Sequence, residues 1–283
     1  MSNGEDKYVL HTSEDGTEFY LSKEYGLADL QRTQDRSVEM MKVIVDIFEK
    51  NCIDYCLAHG TLLGLVRHGD FIPWDDDVDL FVFDNDYARA IQALRRFLPQ
   101  DMVVHNKRVD PIYWPPWTKI RDVGSDTYES LWVIDRRMKY HGICVDILHV
   151  TPARKLPKQE DETGKRGGLR GLFSKKEPEP QAMAADEEQR DYEPLGFGEY
   201  PSVGQGLTCI ANMDTVIECT FDYDDVFPTK KAVFRGIEVA VPNNPDGVLS
   251  SMYGDYMRLP DLEDRKPHFD RVTFFDDVQN ESE

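Results

Sequence analysis

The stretch His59-Gly60-Thr61-Leu62-Leu63-Gly64-Leu65-Val66-Arg67-His68-Gly69-Asp70-Phe71-Ile72-Pro73-Trp74-Asp75-Asp76-Asp77-Val78-Asp79-Leu80-Phe81-Val82-Phe83 decides the fold. Its glycines and threonine mark a turn into a short helix whose first amides are free to meet an anion. Phe71-Ile72-Pro73-Trp74 then leads into an acidic turn that runs straight into the apolar Leu80-Phe81-Val82-Phe83, a buried strand. Four aspartates fall in the five positions 75 to 79, and like charges this close oppose one another's ionisation, so something must offset them. Residues i and i+2 of a strand share a face, with Cα atoms roughly 6.5 to 7 Å apart. Asp77 and Asp79 can therefore reach one hard cation while Val78, Leu80 and Val82 face the core.

Upstream, Leu30, Val38, Met41, Ile44, Val45 and Phe48 recur at helical spacing and predict an amphipathic helix over 27–51, followed by a β-leaning run, Ile53 to Ala58. Downstream, Tyr87, Ile91, Leu94 and Leu98 predict a helix from Asn85 to Phe97. Strands are expected at Met102–Val104, Trp117–Ile120, Leu131–Ile134, Ile143–Leu148, Thr215–Phe221 and Ile237–Val241. Interleaved strands and helices give an α+β (mixed α/β) class, a mixed sheet flanked by helices.

Asp146 stands as a single acid in the apolar run from Ile143 to Val150. An unpaired buried carboxylate costs several kcal/mol unless it is protonated or meets a cation. Should its strand lie beside that of Asp77 and Asp79, three carboxylates converge. Gly60-Thr61 can bring amides and a hydroxyl against a phosphate, Arg67 and His68 follow on the same helix, and Lys119 and Arg121 project from one face of a strand. Blander readings exist for each: a solvated acidic turn, a satisfied core acid, a common Gly-Thr turn, a surface arginine. An EF-hand fails because its sixth position would be Leu80, where the sharp turn needs glycine. Together the residues suit phosphoryl transfer, with two magnesium ions about 3.5 to 4 Å apart on a diphosphate.

The 283 residues carry 33 basic and 53 acidic side chains, a formal charge of −20 that repels nucleic acid and anionic lipid. Cys52, Cys56, Cys144, Cys209 and Cys219 form no metal-type spacing and read as reduced thiols of a cytosolic protein. No signal peptide and no apolar stretch of membrane-spanning length is seen, so the expected location is cytoplasmic or peripheral at the inner face of the membrane. Between Arg154 and Glu193 charged residues, Gly and Pro replace large apolar groups, which predicts a mobile insertion. The expected organisation is an extension over 1–28, a catalytic core over 29–153, the insertion over 154–203, the return of the core over 204–268, and an acidic tail over 269–283, with fraying expected from Asp261 to Glu283.

The stretch from His59 to Phe83 closely resembles the signature of the LicD family of phosphocholine transferases, which the fukutin group of ribitol-phosphate transferases shares. WTKIRD from Trp117, GICVDILHVTP from Gly142 and FPTKKAVFRGIEVAVPNNPDGVLSSMYGDYMRLP from Phe227 look like the same family, so the likeness covers 30–153 and 215–268. The resemblance implies a nucleotidyltransferase-like fold. It also implies transfer of a phospho-alcohol, phosphocholine first and ribitol- or glycerol-phosphate next, from a CDP-activated donor to a sugar hydroxyl of a glycan or glycolipid acceptor, releasing CMP. Position by position, Asp77 and Asp79 become the paired metal ligands, Asp146 the third carboxylate, and Gly60 and Thr61 the donor-phosphate turn. Mg2+ is the expected cofactor, with Mn2+ the alternative. One departure stands out: the family fills the stretch after the third acid with a folded acceptor-side region, where this chain has its charged insertion.

Two other functions share parts of this pattern. A glycosyltransferase holding a nucleotide-sugar through a metal-bound Asp-x-Asp uses the acidic pair but gives no reason for Gly60-Thr61. A non-catalytic binding module would have no need of three convergent acids.

Overall fold

The computed structural model describes residues 7–130, 136–155, 192–194, 206–210 and 218–280. A hairpin of β1 (Tyr8–Thr12) and β2 (Glu18–Ser22) precedes α1 (Leu27–Lys50), β3 (Tyr55–Leu57), α2 (His59–His68), β4 (Val78–Phe83) and α3 (Asp84–Phe97). Then follow β5 (Met102–His105), β6 (Thr118–Asp122), β7 (Ser125–Tyr128), β8 (Cys144–Lys155), β9 (Tyr192–Pro194), β10 (Gly206–Ile210) and β11 (Glu218–Asp222). The chain continues through α4 (Tyr223–Val226), β12 (Lys230–Phe234), β13 (Ile237–Val241), α5 (Pro245–Tyr253), β14 (Arg271–Phe274) and α6 (Phe275–Asn280).

Among the described residues the central sheet has eight strands and runs β11-β10-β8-β4-β3, with β6 also on β8, β5 on β6 and β9 on β8. Only β4 and β8 pair in parallel among the described residues, and the remaining contacts are antiparallel, so the sheet is mixed as the sequence leads one to expect. α1 starts where the Asp29 carboxylate reaches back to the Gly26 amide (3.2 Å), and it buries Leu30, Met40, Met41, Ile44, Val45 and Phe48. That stripe joins Val78, Leu80, Val82, Val145, Ile147 and Leu94 of α3 in one core.

Two registers matter for function. β4 and β8 align Asp79 with Asp146, and β6 and β8 align Lys119 with Asp146. Residues opposite one another on neighbouring strands project from the same face. Lys119, Asp146 and Asp79 therefore form a row across three strands. Gly142 lets β8 begin there, because a Cβ on it would lie 1.9 Å from the Asp122 carbonyl oxygen.

Both ends of the described chain pack on the core, the C-terminal one against expectation. Phe19, Leu21 and Tyr25 are buried, and the Tyr20 amide donates to the Arg265 carbonyl, so the extension packs on the core. The acidic tail was expected to fray, yet Phe269, Val272 and Phe274 are buried and β14 pairs with β7. Apolar residues spaced along an acidic segment give it a face to bury, which net charge alone hides. The strand expected at Leu131–Ile134 and the body of the charged insertion lie outside the described residues. No helix among the described residues is long and apolar enough to cross a membrane.

Candidate active site

The loop from Trp74 to Asp77 brings its acids to the edge of the sheet where β4 begins. Carboxylate oxygens of Asp77, Asp79 and Asp146 lie within 4.8 Å of one another, the spacing of three ligands on one ion. Burial first, and then repulsion from the neighbouring carboxylates, raises the carboxyls of Asp77 and Asp79 above their ordinary range. Asp75 is buried too, and its Oδ2 accepts no hydrogen bond. Burial, then Asp77, pushes the Asp75 carboxyl well above normal. Raised acids in the trio and an orphaned oxygen on the neighbouring Asp75 make a centre suited to a cation. An all-oxygen donor set at this spacing fits Mg2+ or Mn2+ rather than a thiolate-seeking metal.

Gly60 and Thr61 sit at the start of α2 and grip the acidic strand. The Asp79 amide donates to Thr61 Oγ1 (2.8 Å), the Gly60 amide to Asp79 Oδ2 (3.3 Å), and the Ala58 amide to the Asp79 carbonyl (3.0 Å). A Cβ at Gly60 would fall 2.6 Å from Asp75 Oδ2, so only glycine lets the two segments approach. His59 opens the helix at φ 37°, packed edge-on to Phe81, and burial pushes its imidazole down to about 4. Backbone strain of this kind is retained where the surroundings hold it.

Asp146 is 4% exposed and well supplied with donors. Trp117 Nε1 donates to its Oδ2 (2.7 Å) and Lys119 Nζ to both oxygens (2.8 Å each). Burial works against the Lys119 ammonium, but Asp146 outweighs it and holds the group charged. Arg121 shares the face of Lys119 yet is 3% exposed, gives Nη1 to the Gly142 carbonyl (2.8 Å), and leaves Nε without a partner.

Arg67 and His68 occupy the far end of α2, about 10 Å along its axis from Gly60 at 1.5 Å per residue. Arg67 Nη1 donates to the Tyr256 carbonyl (2.9 Å), tying α2 to the Tyr253-Gly254-Asp255-Tyr256 segment, and His68 Nδ1 meets Asp15 of the hairpin (2.9 Å). The structure thus gathers Gly60, Thr61, Asp77, Asp79, Asp146 and Lys119 in one place and gives Arg67, His68 and Arg121 partners of their own.

His268 carries no signal at the level of motif, and the motif does not reveal what Asp76 holds. Asp76 is fully buried and accepts the amides of His268 (3.1 Å) and Phe269 (2.9 Å) and the His268 ring nitrogen (3.1 Å). That clamp carries His268 to within 3.9 Å of Asp77. Against desolvation, Asp77, Asp76 and Asp75 raise the His268 imidazole above its usual range, although the ring is 60% exposed. Asp75, Asp76 and His268 form a second group with ligand atoms within 4.8 Å. Its Asp76 oxygens are already occupied by N–H donors.

Comparison with known proteins points the same way. Residues 52–157 match the family described as LicD/FKTN/FKRP, nucleotidyltransferase domain. A Haemophilus influenzae protein, lipopolysaccharide cholinephosphotransferase LicD, is 43% identical over 54 residues, 18% of this chain and 20% of that protein. The human and mouse proteins named ribitol 5-phosphate transferase FKRP are each 43% identical over 54 residues, 19% of this chain and 11% of theirs. The matched stretches therefore span about a fifth or less of these relatives.

Proposed function

We propose that this chain, a LicD-family protein through its residues 52–157, transfers a phospho-alcohol from a CDP-activated donor to a sugar hydroxyl of a glycan or glycolipid, releasing CMP. Phosphocholine is the first candidate for the group carried, and ribitol- or glycerol-phosphate the next. The observation that carries this reading is the row of Asp79, Asp146 and Lys119 across β4, β8 and β6, with Asp77 beside it and Gly60-Thr61 at its edge.

Asp77, Asp79 and Asp146 would hold Mg2+, or Mn2+ in its stead. Bound there, the cation supplies charge neutralisation to a diphosphate as its P–O bond breaks. Thr61 and Gly60 fix Asp79 in rotamer and position. Trp117 and Lys119 do the same for Asp146, and Lys119 also offers an ammonium to the phosphoryl oxygens. The work left to the protein is placement, which accounts for most of the catalysis of a loose phosphoryl transition state. The activities named for the relatives, cholinephosphotransferase and ribitol 5-phosphate transferase, belong to this reaction class.

The test is a thermal-shift titration with CDP-choline, CDP-ribitol, CDP-glycerol and UDP-glucose, each with Mg2+ and with EDTA. Ligand at a hundred times its Kd stabilises by about 2.7 kcal/mol, a readily measured shift. A Mg2+-dependent shift with one CDP-alcohol supports the reading. A shift with UDP-glucose alone would assign the acidic pair to a glycosyltransferase instead.

A further inference from the structure

A net charge of −20 leaves acids to spare for the basic groups of this chain, and Arg32, Arg36, Arg89, Arg136 and Arg235 each pair with a carboxylate. One region breaks that pattern. Arg95 and Arg96 in the last turn of α3, Lys107 and Arg108 after β5, and Lys139 ahead of β8 are all exposed. Among the described residues none of these five meets an acid.

Local hydrogen bonds hold the five together. Asn106 Oδ1 accepts from Arg95 Nη2 (3.3 Å) and from the Arg108 amide (3.2 Å), joining the end of α3 to the loop after β5. Asn106 Nδ2 donates in turn to Thr118 Oγ1 of β6 (3.2 Å). The buried Asp110 accepts the Ile112 amide (3.2 Å) and the Lys139 amide (2.6 Å), so the loop folds back against the segment that carries Lys139. Two large apolar side chains stand among these charges. Phe97 is 50% exposed, with the Arg96 guanidinium 5.2 Å over its ring, and Ile112 is 57% exposed.

Gathered cations repel one another, and apolar groups left in water lose the gain of burial. Anionic headgroups above hydrocarbon relieve both at once. Nucleic acid would answer the charge but gives an aliphatic side chain such as Ile112 nothing to enter. We propose that the face made by the end of α3 and the loop after β5 docks on a bilayer rich in anionic phospholipid, with the five basic groups at the headgroups and Phe97 and Ile112 in the interface. The overall negative charge permits this, because fields between exposed charges fade within about 8 Å at physiological salt and the nearest groups dominate. The same loop runs on to Trp117, whose carbonyl accepts Tyr113 Oη (2.9 Å) and whose indole holds Asp146 (2.7 Å). Docking thus ties the carboxylate centre through one short segment to a membrane surface, where a glycolipid presents its sugar. The docking itself does not depend on the phospho-alcohol reading.

The test is flotation of the full chain with phosphatidylcholine vesicles, and with vesicles in which about a third of the lipid is phosphatidylglycerol, at about 0.05 M and about 0.5 M salt. The chain should float with the anionic vesicles alone, and only at the lower salt. Each basic group near such a surface contributes about fivefold, so Lys107→Gln with Arg108→Gln should weaken binding about 25-fold, at an unchanged melting temperature. Ile112→Ser should weaken it about tenfold. Lys50→Gln, which alters an exposed lysine outside the patch, should leave binding as it is. Absence of flotation with the anionic vesicles, or flotation that the Lys107, Arg108 double variant leaves within about twofold, overturns the proposal. Equal weakening by Lys50→Gln would trace the binding to bulk charge and overturn it as well. A single-stranded RNA oligonucleotide that displaces the vesicles, with Ile112→Ser silent, would assign the patch to nucleic acid instead.

Discussion

Replacing Lys119 with Met removes an ammonium 2.8 Å from both oxygens of Asp146 while keeping the length of the stem. The two side chains are 13% and 6% exposed, so this is a buried pair, and removing one member of such a pair typically costs about 3 to 5 kcal/mol. Trp117 still donates to Asp146 and methionine refills the volume, which favours the low end, about 3 kcal/mol. The nearby Asp77 and Asp79 lose a neutralising neighbour, which works against any smaller figure. For a chain of this size about 3 kcal/mol lowers Tm by roughly 6 to 12 °C. A divalent cation on the three carboxylates supplies the missing positive charge, so saturating Mg2+ should recover most of the deficit. The assay is calorimetric or fluorescence-monitored melting of wild type and K119M in EDTA and in Mg2+. A loss below about 2 °C in EDTA, or the same loss with and without Mg2+, would refute the view that Lys119 and the cation serve the same carboxylates.

Trp117→Phe keeps the ring and deletes one hydrogen bond to a charged acceptor, so Mn2+ affinity should fall about tenfold while Tm in EDTA changes little; unchanged affinity by calorimetric titration would make the indole a packing group. Gly142→Ala should abolish soluble expression, because its Cβ meets the Asp122 carbonyl at 1.9 Å, whereas Gly124→Ala, whose nearest neighbour is a side-chain oxygen at 3.5 Å, should express normally. Asp75, Asp77 and Asp79 have raised carboxyls, so the metal-free fold holds their protons more tightly than the unfolded chain does. Glu129 adds to this between about 7 and its unfolded 4.5, and His268, also raised, loses its contribution as pH climbs. Urea midpoints in EDTA should therefore be higher near about pH 5 than near about pH 8, and Mg2+ should shrink or reverse the difference; a flat profile in EDTA would mean the acids are not strained.

The legible parts of the fold were those written in consecutive residues. The helical spacing of Leu30 to Phe48 gave α1, the apolar run after Asp79 gave β4, and the lone acid among Ile143 to Val150 gave both a strand and a third carboxylate. The convergence of Asp79 and Asp146 needed only two parallel neighbours in register, and β4 and β8 are that pair. Charge was a poorer guide. Arg67, His68, Lys119 and Arg121 look alike as basic residues near a motif, yet only Lys119 meets the carboxylate trio, since strand register and helix length decide which basic group can reach it. The meeting of Asp76 with His268 was illegible because it depends on β7 and β14, strands 146 residues apart at their starts (271 less 125), and no local pattern records a pairing of that kind.

That long-range clamp has a consequence for biosynthesis. A chain emerging from the ribosome presents the acidic loop early, but the amides that Asp76 accepts belong to residues 268 and 269, and β7 has no edge partner until 271–274 follow. Between the synthesis of residue 146 and that of residue 268 the growing polypeptide holds Asp77, Asp79 and Asp146 without the finished clamp. Premature termination before His268 would spare all four aspartates of the motif and still leave Asp76 without those donors. A centre whose carboxylates lie between residues 77 and 146 is thus completed only by residues 268 to 274, so partly made chains carry the acidic loop without the donors that hold Asp76.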